Sequence, residues 1–113
     1  MVYAMHPAGE VQPVSVTPDQ TVVDLVDAVD ALDLFGDELL DPGWFAFDRA
    51  VNVADGARLG AALARYAGLA ADSAVDPALR RANCPPAAAD AVGQFFAFVG
   101  DTAGRSLVIE HLT

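Results

Sequence analysis

The sequence has no lysine, a single cysteine, and no apolar run long enough to cross a bilayer, and each shortage excludes a class of protein. Without lysine, six arginines stand against thirteen aspartates and three glutamates, for a net charge of −10. Phosphate binding depends on clustered Lys and Arg that displace counterions, so nucleic acid is excluded as a direct ligand. The same shortage excludes an anchor on anionic lipid. Cys84 alone supports neither a disulfide framework nor a cysteine-rich zinc site. The apolar stretches fall short of the roughly 20 residues a membrane helix requires. No basic stretch followed by an apolar one marks a secretory signal. The expectation is a cytoplasmic protein with no membrane role. At 113 residues the chain can bury a core without staples. One globular domain over 1–113, with no cofactor and no metal, is therefore expected.

What is present in excess is acid, and it is unevenly placed. Residues 1–41 hold nine acids and no base, a charge of −9, whereas residues 42–113 hold seven acids and six arginines, a charge of −1. A concentrated field of one sign steers association with a partner of the other sign.

Hydrophobic patterning supplies the elements. Short apolar runs over residues 1–6 and 11–16, separated by Pro7-Ala8-Gly9-Glu10, predict a β-hairpin, with Pro13 weakening the second strand. Thr17-Pro18-Asp19-Gln20 has the pattern of a helix start: a capping threonine, proline in the first turn, and a glutamine that can reach back. Val22, Leu25, Val26, Val29 and Leu32 then follow helical spacing and predict the buried stripe. Asp24, Asp27, Asp30 and Asp33 recur every third residue and are expected on the outer face. Trp44-Phe45-Ala46-Phe47 reads as a buried strand. Asn52 is expected to cap a second helix, with Asp55 completing a capping box and Leu59, Ala62, Leu63 and Tyr66 buried until Gly68 ends it. Asp76-Pro77 opens a short third helix that stops near Cys84. Residues 86–99 predict a largely buried fourth helix closed by Gly100, and residues 106–112 a final strand. The order β-β-α-β-α-α-α-β gives an α+β domain, a small and mostly antiparallel sheet covered on one face by helices.

Few side chains are arranged for chemistry. His6 and His111 lie in predicted strands whose pairing would let them converge with Glu110 on a metal or an acid–base site. No zinc-type spacing surrounds them, so they are read as ordinary surface or hydrogen-bonded side chains. Cys84 lacks a nucleophile signature and is read as a small buried side chain. The aspartate row does not alternate as a Ca²⁺ loop does. Arg58, Arg65, Arg80 and Arg81 have no glycine-rich loop beside them and are expected to pair with acids of the first helix. The favoured function is a small acidic protein-binding module of the inhibitor, immunity-protein or nucleic-acid-mimic kind. Its expected contacts with a basic partner are Asp24, Asp27, Asp30, Asp33, Asp37, Glu38 and Trp44, with an apolar patch around Phe35, Leu39 and Leu40. Two alternatives stay open. One is a small-molecule site or enzyme with a pocket between sheet and helices, lined by Phe45, Phe47, Tyr66, Phe95 and Phe98 beside His6 or His111. The other is a subunit of a larger assembly.

Overall fold

The computed structural model describes residues 2–35 and 51–112. Their order is β1 (Val2–Pro7), β2 (Ser15–Pro18), α1 (Asp19–Ala31), β3 (Val51–Ala54), α2 (Gly56–Ala71), α3 (Val75–Arg81), α4 (Ala87–Asp101) and β4 (Leu107–Leu112). The four strands form one antiparallel sheet in the order β2-β1-β4-β3. This is the α+β class expected from the patterning. The strand expected at Trp44–Phe47 lies outside the described residues. The third strand of the described sheet is Val51–Ala54.

The register sorts the strand residues into two faces, because side chains alternate along a strand. Tyr3 stands between Thr17 and His111, Met5 between Ser15 and Ile109, and Pro7 opposite Leu107, with Asn52 and Ala54 completing this face on β3. Tyr3, Met5, Ala54, Leu107 and Ile109 are buried here under the helices. The opposite face presents Val2, Ala4 and His6 on β1, Val108, Glu110 and Leu112 on β4, Val16 and Pro18 on β2, and Val51 and Val53 on β3.

α1 follows the predicted stripe. Val22, Leu25, Val29 and Leu32 are buried and Val26 packs against them. Leu34 and Phe35 continue this cluster past the helix end. α4 is the central helix, burying Ala88, Ala91, Val92, Phe95, Phe96 and Val99 and packing against each of the other three helices. Phe96 sits at its middle, stacked on Tyr66 at 5.1 Å and met edge-on by Phe95 at 5.1 Å.

Several boundaries differ from expectation, each for a local reason. β2 begins at Ser15 rather than Val11, because Pro13 has no N–H to extend the ladder. Thr17 does not cap α1. It is held in β2 opposite Tyr3, and Pro18 occupies the cap position without a side-chain bond. Gln20 accordingly turns forward, its Nε2 donating to Asp24 Oδ1 at 3.3 Å. Asn52 is not a cap either, since it lies buried in β3. The cap of α2 is Asp55, whose Oδ2 accepts from the Arg58 amide at 3.2 Å. Gly68 and Gly100 do not end their helices, which run on to Ala71 and Asp101.

Candidate functional site

The acidic surface comes from α1 and the turn that follows it. Asp27, Asp30 and Asp33 are exposed, and none forms an ion pair with a described residue. Asp24 departs from the expected row. It is only 6% exposed, since Ala28, one turn on, is fully buried on the same side, so the buried arc of α1 is wider than its apolar stripe. Asp37, Glu38 and Trp44, with Leu39 and Leu40, lie outside the described residues. Phe35, expected in an exposed apolar patch, is instead 2% exposed and belongs to the core.

The ridge is rigidly backed. Leu25 and Val29 anchor α1 from below, and Cys84, just past α3, reaches its side, with Sγ 3.9 Å from the Asp27 carbonyl oxygen. Burial pushes the Cys84 thiol above its ordinary range, and the carboxylates of Asp27 and Asp30 push it further the same way. Fewer thiolates form, so the arrangement opposes nucleophilic chemistry at Cys84. Arg65 does not pair with α1 acids as expected. Its Nη1 donates to the Leu34 carbonyl at 2.7 Å and so fixes the chain just after α1.

The strands bearing the histidines do pair, but the side chains diverge. His6 lies opposite Val108 and His111 opposite Tyr3, three residues apart along the ladder and therefore on opposite faces. On the outer face His6 Nδ1 lies 2.7 Å from the Glu10 carbonyl oxygen and 3.0 Å from that of Pro7. On the core side His111 stacks on Tyr3 at 4.5 Å, and its Nε2 lies 3.3 Å from Asp19 Oδ1, out of hydrogen-bond alignment. Among the described residues no three His, Cys, Asp or Glu side chains are grouped for a metal.

A cleft of about 90 Å³ opens where β1 and β2 meet α1 and α4. Its polar groups are Ser15, Thr17, Thr21 and Gln94, its floor includes Met5 and Phe95, and no titratable residue lines it. Of the residues expected to line a pocket, Phe95 borders this cleft, whereas Tyr66 and Phe98 are half-buried against the core away from it and Phe45 and Phe47 lie outside the described residues. Among the described residues no helix is long and apolar enough to cross a membrane.

One feature escaped the sequence reading. The outer face of the sheet is largely aliphatic, yet Val16, Val51, Val53 and Leu112 are 61%, 55%, 52% and 44% exposed. A sheet with one solvated face normally alternates apolar and polar residues, whereas strands apolar on both sides are usually covered on both. The doubled pattern of β4, with Leu107 and Ile109 facing inward and Val108 and Leu112 outward, was the available signal.

No family model, no curated protein and no solved structure matches this chain.

Proposed function

We propose that this chain is a small protein-binding module that docks a basic partner through the exposed acids on α1 and just past its end. The observation that carries this is the ridge of Asp27 and Asp30 on α1 and Asp33 just past its end, three exposed carboxylates without a described counter-ion beside a packed core. Their field, added to that of the remaining acids before residue 42, accelerates encounter with a cationic surface, and apolar contacts near the ridge hold the complex. The inhibitor, immunity-protein and nucleic-acid-mimic roles all belong to this class.

The test uses the triple variant Asp27→Asn, Asp30→Asn, Asp33→Asn. Asp24 is left intact because it is buried. A basic protein retained from host lysate at low salt, released at high salt and missed by the variant supports the proposal. With that protein in hand, the variant should associate about tenfold more slowly, within the range steering provides, at an unchanged circular dichroism spectrum. Equal capture and equal association rates for variant and native chain would remove the idea.

A further inference from the structure

The sequence holds one Asp-Gly pair, Asp55-Gly56, and no Asn-Gly pair. An aspartate followed by glycine isomerises readily, because the second residue has no side chain to hinder ring closure. The Gly56 nitrogen attacks Asp55 Cγ, the carboxyl hydroxyl leaves as water with the nitrogen's proton, and a five-membered succinimide forms. Water then adds back at either ring carbonyl. Opening at the original backbone carbonyl leaves the chain running through the former side chain, as isoaspartate. One water leaves and one returns, so solvent is the only co-reactant.

The fold requires both members of this pair. Asp55 caps α2, with its Oδ2 accepting from the Arg58 amide at 3.2 Å, and few side chains cap well. Gly56 is buried where the segment leading into β4 crosses the start of α2, and a Cβ there would run into the backbone of Gly104, Arg105 and Ser106. Only glycine fits so close an approach. A reactive pair is therefore built into the junction of β3 and α2, and the same junction holds it still. The Gly56 amide donates to Ser106 Oγ at 3.0 Å, across 50 residues of sequence. We infer that Asp55-Gly56 is a latent isoaspartate site, and that Ser106 keeps it closed in the folded chain.

Three contacts oppose ring closure. To present its lone pair to Asp55 Cγ, the Gly56 nitrogen must turn with its peptide plane, which swings the N–H off the Ser106 hydroxyl. The backbone of residues 104–106 abuts Gly56 and resists that turn. The Asp55 carboxylate must also leave the Arg58 amide. Reaction thus waits for the start of α2 to part from the segment before β4, a local opening rather than global unfolding. Once formed, isoaspartate adds a methylene to the backbone and moves the carboxyl off its capping position. The opening is then covalently fixed.

Peptide mapping by mass spectrometry, with electron-transfer fragmentation to tell isoaspartate from aspartate, follows the reaction over weeks at physiological temperature. The folded native chain should keep Asp55 as aspartate, whereas the same chain in guanidinium chloride should convert it steadily. Folded Ser106→Ala should convert about fivefold faster than the native chain, the factor by which one lost hydrogen bond favours opening. Ser106→Thr keeps the hydroxyl and should return the rate toward the native value. Leu79→Ala separates protection from stability, since it empties a buried site in α3 and leaves Ser106 in place. It costs more global stability than one hydrogen bond, yet should convert Asp55 more slowly than Ser106→Ala. If Leu79→Ala does not fold, Leu79→Val takes its place. The triple asparagine variant should convert at the native rate, because neither Asp55 nor Ser106 belongs to the acidic ridge, so this result is independent of partner docking. Conversion in the folded native chain as fast as in guanidinium, equal rates for Ser106→Ala and the native chain, or faster conversion in the Leu79 variant than in Ser106→Ala would overturn the inference.

Discussion

Among the described residues, four that bear side chains adopt the left-handed backbone conformation, and each follows the end of a helix. Asp33, Ser73, Asn83 and Ala103 have φ of 51°, 54°, 58° and 52°. At the first three, the amide of the next residue bonds five residues back, Leu34 to Val29, Ala74 to Leu69 and Cys84 to Leu79, which is the Schellman closure. Asp and Asn tolerate this conformation through local hydrogen bonding, but alanine has no such compensation. Ala103→Gly should therefore stabilise the fold by about 1 kcal/mol in urea unfolding. An unchanged midpoint would mean that Ala103 is unstrained. The opposite substitution, Gly56→Ala, has the opposite sign. A Cβ there would run into the Gly104 carbonyl oxygen and meet the Ser106 nitrogen at 2.8 Å, both backbone. Overpacking against atoms that cannot rotate away should cost about 1–3 kcal/mol. These termini also show why glycine misled the sequence reading. A helix continues through Gly68 or Gly100 for about 1 kcal/mol each, and no steric rule forces it to stop there.

Elements were legible where one periodicity dominated. The stripe from Val22 to Leu32 placed α1, and the large residues from Val92 to Val99 placed α4 at the centre. The ends were not legible, because capping residues also serve sheets. Asn52 and Thr17 both have capping chemistry, yet each lies in a strand whose ladder bonds outweigh one cap. Asn52 is left buried with its Nδ2 unpartnered. The true cap of α2 lies three residues on, at Asp55, a residue the sequence had assigned to the far half of the same motif. Asp55→Ala should cost about 1 kcal/mol, the usual value of an N-cap, and Asp55→Ser should restore most of it. A chemical-denaturation series on the three proteins measures both. If the Ala variant is as stable as the native chain, the Asp55 to Arg58 contact contributes nothing and α2 is held by the packing of Leu59 and Ala62 alone.

For the whole molecule, counting charges located the acidic segment but not which carboxylates reach solvent. Asp24 was lost from the ridge because the buried arc of α1, which takes in Ala28 one turn on, is wider than its apolar stripe. The outer sheet face was hidden for a related reason, since exposure of a valine is decided by which layer covers it. What remains is a row of uncompensated like charges, Asp27 and Asp30 in α1 and Asp33 just past its end, each three residues from the next. Such pairs oppose a helix by about 0.2–0.5 kcal/mol each, and salt screens them because they face water. Thermal unfolding of the dilute chain should therefore shift upward by a few degrees from low to high sodium chloride, the size expected for roughly 0.5–1 kcal/mol in a domain of this length. The triple asparagine variant should start near the high-salt value and respond less to added salt. Chloride suits the test, because sulfate would strengthen apolar burial as well. Equal salt gains in both proteins would place the repulsion elsewhere in the chain, and the ridge would then carry no stability cost for binding to offset.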